Sequence, residues 1–160
     1  MDQELISLYQ RSIGCSIDDL AKKILGIAKT VSRDSKILYR IKDSQTLEKK
    51  MALKRAASVF DIDDVYGLRI LTSSVEKSYK IANAVFRVFP GHIDHDFIAN
   101  PKIRLDKPHL KEGGLRMLQI VVYKNKTPFE VQITTFEFND INESYHDQYH
   151  RERYSGSSTT

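Results

Sequence analysis

The chain has 160 residues, 41% of them apolar, which suffices for one compact core and leaves little for a second domain. A single cysteine, Cys15, excludes an internal disulfide or a cysteine-rich metal site, and no apolar run approaches the length of a bilayer span. The formal charge of +4 is a mild excess that suits a polyanionic ligand such as a nucleotide or RNA.

The opening MDQELISLYQ is acidic and amphipathic, unlike a signal peptide, and since the lone cysteine gives no sign of an oxidising compartment a cytoplasmic setting is expected. Helices are predicted over residues 2–13 and 16–32. In the second, Ile17, Leu20, Ile24, Ile27 and Val31 recur at helical spacing, and Ser16 with Asp19 resembles a capping arrangement. KILYRIK, residues 36–42, alternates as a strand does, with Ile37, Tyr39 and Ile41 opposite Leu38, Arg40 and Lys42. A helix capped by Ser44 is predicted to about residue 58, and VYGLRIL, residues 65–71, reads as a second strand. The sequence SSVE, residues 73–76, is a capping box in which Ser73 would cap and Glu76 would reach back. The helix that follows carries an apolar stripe of Tyr79, Ala82, Phe86 and Phe89.

Pro90 and Gly91 stop that helix, and residues 92–114 read as a less regular connection with further breakers at Pro101 and Pro108. Connections of that length are more often functional than idle. Residues 117–124 and 128–135 are predicted to form a hairpin around Asn125, followed by a helix over 136–154 and a flexible SGSSTT tail. The expected domain is residues 36–154, with the helices of residues 1–35 packed on it and a tail over 155–160. Strands mixed with helices and including a hairpin imply an α/β (α+β) fold, a mixed sheet flanked by helices.

Three features carry chemistry. In KTPFEVQITT, residues 126–135, Phe129, Val131 and Ile133 share one face while Glu130, Gln132 and Thr134 share the other, so a carboxylate stands in the middle of a strand. Arg40 and Lys42 share a strand face, and Lys49, Lys50, Lys54 and Arg55 follow. Two cations on one face repel unless an anion lies between them, so Arg40 and Lys42 point to a phosphate, whereas Lys54 and Arg55 read as a solvated helix face. Asp61, Asp63 and Asp64 crowd the entrance of the second strand. Mg²⁺ prefers oxygen ligands and commonly uses one or two carboxylates plus substrate phosphates, and Asp64 with Glu130 would make such a pair.

In order and spacing, RIKDSQTLEKKM, DDVYGLRI, FPGHIDHDFIANPK and PFEVQITT resemble the synthetase domain of the RelA/SpoT family over roughly residues 36–150. The resemblance implies a nucleotidyltransferase-like fold and Mg²⁺-dependent transfer of pyrophosphate from ATP to the ribose 3′-hydroxyl of GDP or GTP. Some toxin relatives use adenosine nucleotides or the 3′ end of tRNA instead. It also implies that Arg40, Lys42, Lys49 and Lys50 contact ATP phosphates and that Asp64 holds the metal. Glu130 would touch the metal or act as general base; Lys102, Leu115, Arg116, Gln119 and Gln132 would face the acceptor, with Glu143 or His146 assisting.

The acceptor motif departs from the family pattern. Where the family has G-Y-x-S-L-H this chain has GLRMLQ, residues 114–119, so Leu115 replaces a stacking tyrosine and Gln119 replaces a histidine. Thr134 stands for the arginine of E-V-Q-I-R-T, and the link IRLDKPHLKE is longer than usual. An RNA end held by Arg104, Lys107, Lys111 and Arg116 is one outcome, and a catalytically impaired nucleotide- or RNA-binding module is the alternative. Glu143, His146 and His150 share a helical face, but Asp147 stands where a zinc protease motif needs glutamate.

Overall fold

The computed structural model describes residues 3–41, 66–110 and 113–143. The predicted helix over 44–58, Lys42, Lys49, Lys50, Asp64, Lys111, His146 and the predicted tail lie outside the described residues.

Helix α1 (Gln3–Ile13) leads into α2 (Ile17–Val31), where Ser16 caps by accepting the N–H of Asp19 at 3.0 Å, as its sequence predicts. Strand β1 (Lys36–Ile41) follows, then β2 (Tyr66–Thr72) and α3 (Val75–Phe86). Ser74, not Ser73, caps α3, accepting the N–H of Lys77 at 3.2 Å. Glu76 is therefore one position too early for the reciprocal box bond and instead pairs with Lys80 one turn on, at 3.0 Å.

Residues 91–96, read from sequence as irregular, form strand β3 (Gly91–Asp96), antiparallel to β4 (Leu118–Lys124). The polar run HIDHD has no apolar alternation because β3 is an edge strand whose first five residues are exposed. Further on, Pro108–Leu110 make one 3₁₀ turn. Strand β5 (Thr127–Thr135) completes the hairpin with β4, and α4 (Phe136–Glu143) follows directly. The hairpin turns on Asn125 (φ 52°) and Lys126 (φ 64°), two consecutive left-handed residues as a tight primed turn requires.

The five strands lie in the order β1-β2-β5-β4-β3, with β2 and β5 parallel and all other neighbours antiparallel. One face is apolar. Ile37, Leu68, Ile70, Phe129, Val131, Ile133, Leu118, Ile120 and Val122 pack there against Leu20, Ile24 and Ala28 of α2 and Ile81, Ala82 and Val85 of α3. At roughly 25 cal/mol per Å² of apolar surface, this cluster is the main source of stability. The hairpin also ties down α1: Lys124 Nζ and Asn125 Nδ2 both donate to the Ile13 carbonyl, at 2.5 and 3.0 Å. Among the described residues no helix is long and apolar enough to cross a membrane. The opposite face of the sheet carries the polar residues, with α4 at one end.

Candidate active site

Two rows of in-register residues cross the polar face, since partners on neighbouring strands project to the same side. The first runs Arg40, Gly67, Glu130, Val121, and the second Leu38, Arg69, Gln132, Gln119, His95. In the first row the glycine stands between a cation position and the carboxylate. A Cβ built on Gly67 meets nothing within 4 Å, so the strip beside Glu130 is clear among the described residues. Only the backbone of Arg40 is described, and its place in β1 puts it next to that strip.

The second row holds Glu130 in place. Gln132 Nε2 donates to Glu130 Oε1 at 2.8 Å, and Arg69 Nε donates to Gln132 Oε1, also at 2.8 Å. Arg69 Nη1 then reaches α4, donating to Asn139 Oδ1 at 3.1 Å and to Glu143 Oε1 at 2.5 Å. Arg69 is only 9% exposed on an interior strand, where an unpartnered guanidinium would cost several kcal/mol, about 3 to 5. Glu143 neutralises it, and the Arg69 Nε–H fixes which end of the Gln132 amide faces Glu130. The charge-assisted chain Glu143–Arg69–Gln132–Glu130 thus connects α4 to the central carboxylate.

The segment between β3 and β4 is built on Asp96. Its carboxylate lies 2.7 and 3.0 Å from the Tyr79 hydroxyl, and its Oδ1 accepts the N–H groups of Ile98 (3.1 Å) and Ala99 (3.0 Å). Burial first, and then the Asp96 carboxylate, push the Tyr79 phenol up to about 12. The chain then returns through a two-bond bridge between Lys102 and Leu115, Lys102 N–H to Leu115 O at 3.0 Å and Leu115 N–H to Lys102 O at 2.7 Å. Gly114 (φ 73°) makes this possible, because a Cβ there would fall 2.9 Å from Pro101 Cβ.

Arg116 is fixed through its backbone: its carbonyl accepts from Thr134 Oγ1 (2.8 Å) and from buried Asn142 Nδ2 (3.0 Å), and its guanidinium lies over the Phe138 ring at 5.3 Å. Gln119 Nε2 lies 3.5 Å from a weak acceptor, Met117 Sδ. Arg104, read from sequence as a cation for an RNA end, is forked on Asp106 at 3.1 and 3.0 Å, which holds that carboxyl below its usual range. Among the described residues no group of three or more histidine, cysteine, aspartate or glutamate side chains is placed to hold a metal ion.

Residues 39–155 match the region found in RelA / SpoT proteins. The chain belongs to the RelA/SpoT family. A probable chloroplastic GTP diphosphokinase of Oryza sativa subsp. japonica is 32% identical over 116 residues, 67% of this chain and 15% of that protein. A second, from Arabidopsis thaliana, is 31% identical over 125 residues, 76% of this chain and again 15% of the relative. This RelA/SpoT chain therefore spans a small part of the curated relatives it matches. The small alarmone synthetase 1 of Bacillus subtilis, solved with its product pppGpp, shares the fold with a TM-score of 0.67 at 18% identity, over 98% of this chain and 85% of that one.

Within the RelA/SpoT fold, Glu130, Gln132 and Gln119 lie together on the polar face, and Lys102 adjoins Leu115. Glu143 meets Arg69. Sequence reasoning passed over Arg69, Asn139 and Gly67. Arg69 had a signal: it stands two residues after Gly67 on an interior strand, where a cation needs a partner. Nothing in the sequence marks Asn139, which reaches the site because α4 folds back over the sheet.

Proposed function

We propose that this chain transfers pyrophosphate from ATP to the ribose 3′-hydroxyl of a purine nucleotide, with GDP or GTP as the acceptors expected from its family. The observation that carries this reading is Glu130: a carboxylate held by Gln132 on the polar face, beside the strip over Gly67 that is clear among the described residues, and two strand spacings from Arg40.

Arg40, Lys42, Lys49 and Lys50 bind the ATP phosphates and offset their charge, and the clear strip over Gly67 receives them. Lys102, Leu115, Arg116, Gln119 and Gln132 face the acceptor and bring its 3′-hydroxyl toward Glu130. Glu130 accepts the hydroxyl proton as the 3′ oxygen bonds to the β phosphorus; the bond from that phosphorus to the α,β-bridging oxygen breaks, and AMP leaves with the electron pair. Glu143 assists at a distance, through Arg69 and Gln132. His146 is assigned the same assisting role.

Hard oxygen donors suit Mg²⁺, and Glu130 has the required character: one carboxylate oxygen accepts from Gln132, and the space over neighbouring Gly67 is clear among the described residues. Asp64 and Glu130 would hold the ion, which when bound offsets phosphate charge during transfer.

The test supplies γ-labelled ATP and Mg²⁺ with GDP, GTP, adenosine nucleotides or tRNA, and follows label and AMP together. Label on a purine nucleotide, matched mole for mole by AMP, is expected. Should ATP bind while no acceptor is labelled, catalysis is the wrong reading and a nucleotide-binding module takes its place, which the Leu115 and Gln119 departures would then explain.

A further inference from the structure

We infer that His95 and Phe97 form the stacking platform for the acceptor's purine base, supplying the π face that Leu115 lacks. This rests on the acceptor reading above and assigns its base subsite. The two rings are stacked, with centroids 4.9 Å apart and planes 11° from parallel. Lys102 Nζ lies over the Phe97 ring at 5.6 Å, and the Lys102 backbone is bridged to Leu115, so the pair stands beside the position where a family tyrosine would be.

The platform is on the right face and at a workable distance. His95 is in register with Gln119, and Gln119 with Gln132, which bonds to Glu130. His95 and Gln132 are two strand spacings apart, about 10 Å, so a base on the platform leaves its ribose over Gln119 and Gln132 and its 3′-hydroxyl toward Glu130. The imidazole is available: the His95 side chain is 55% exposed and its ring N is 3.8 Å from Asp94, beyond hydrogen-bond distance. Two aromatic rings already parallel at the sheet edge need little reordering to receive a third. A purine gains more from such stacking than a pyrimidine because its flat area is larger.

Titration calorimetry tests this with GDP, ADP, CDP and UDP as the probes, in Mg²⁺ and with a non-hydrolysable ATP analogue present throughout. Wild type should bind the purine diphosphates more tightly than the pyrimidine ones. His95→Ala and Phe97→Leu should each weaken purine binding about fivefold or more, with the melting temperature and the affinity for the ATP analogue unchanged. Equal binding of all four diphosphates, no purine binding to wild type, or wild-type affinity in both variants would each overturn the platform. The readout is binding, so it separates from catalysis: purine binding lost in the variants without any label transfer by wild type upholds the platform and removes the proposed reaction. Transfer that proceeds with both variants binding normally does the reverse.

Discussion

Arg69 and Glu143 meet at 2.5 Å, joining an interior strand to the last turn of α4. Glu143 is the charge partner that lets a guanidinium sit at 9% exposure, and Asn139 takes a further N–H. The outcome for Glu130 is indirect, because Arg69 touches Gln132 and Gln132 touches Glu130.

Arg69→Met removes the guanidinium that Glu143 pairs with and frees the Gln132 amide to rotate. Urea denaturation should show a loss of about 2 to 4 kcal/mol, and the double variant Arg69→Met/Glu143→Leu should recover part of it, because the abandoned charge is then gone too. Transfer should fall in both variants, since neither restores the bond that orients Gln132. Equal stability of Arg69→Met and wild type would show that the ion pair holds nothing.

Glu130→Gln keeps size and hydrogen-bonding capacity while removing charge, so its melting temperature should stay within a few degrees of wild type. Pyrophosphate transfer should drop by about 10² or more, the usual weight of a positioned general base. Asp64→Asn should match it. A wild-type rate in both variants would remove the catalytic assignment.

The hairpin, the apolar face and the position of Glu130 were legible in the sequence because alternation over β5 is strict and one face is wholly apolar. β3 was not, since an exposed edge strand has no apolar side to reveal its period. The cap of α3 was missed by one residue because Ser73 and Ser74 are chemically equivalent there, and only the backbone decides between them. The link from Arg69 to α4 depends on how a helix folds back across the sheet, which local pattern does not encode. The stack of His95 on Phe97 was hidden for a related reason: it forms where the edge strand ends at Asp96 and the chain turns, and no apolar pattern marks that end.

Two tyrosine hydroxyls that donate to carboxylates set an alkaline limit. The Asp18 carboxylate that accepts from Tyr39, and burial with Asp96 at Tyr79, raise both phenols to about 12 from an ordinary value near 10. A raised phenol pKa stabilises the folded state fully below pH 10 and loses that contribution as pH climbs to about 12, because the unfolded chain ionises first. Tyr79→Phe should be less stable than wild type by about 1 kcal/mol at pH 8. That gap should narrow above pH 10 in parallel urea titrations; a gap that widens would contradict the assigned sign.

Lys126 holds a left-handed conformation, φ 64°, with an exposed side chain. Such a conformation costs a residue with a Cβ about 1 to 2 kcal/mol, and glycine returns about half of that through unfolded-state entropy. Lys126→Gly should therefore raise stability by up to about 1 kcal/mol, read as a higher urea midpoint with the same slope. Since Asn125 also ties the turn to Ile13, Asn125→Gly should gain less or lose. A drop for Lys126→Gly would mean that its side chain holds something.

Gly67 offers the sharpest contrast between a structural and a functional glycine. It lies within β2, where glycine normally weakens a strand, and nothing among the described residues occupies the space a Cβ would take. Gly67→Val should therefore keep or raise stability by up to about 1 kcal/mol, from strand propensity and lost chain entropy. The added methyls would project between Arg40 and Glu130, into the strip assigned to the ATP phosphates. Crowding of a filled site by one to three methylenes costs about 1 to 3 kcal/mol, so affinity for a non-hydrolysable ATP analogue should fall about tenfold while the acceptor nucleotide binds as before. Thermal melts and calorimetry on the same preparation read both quantities. A variant that is stable and binds the analogue like wild type would show that the phosphates lie elsewhere, and with them the donor half of the site.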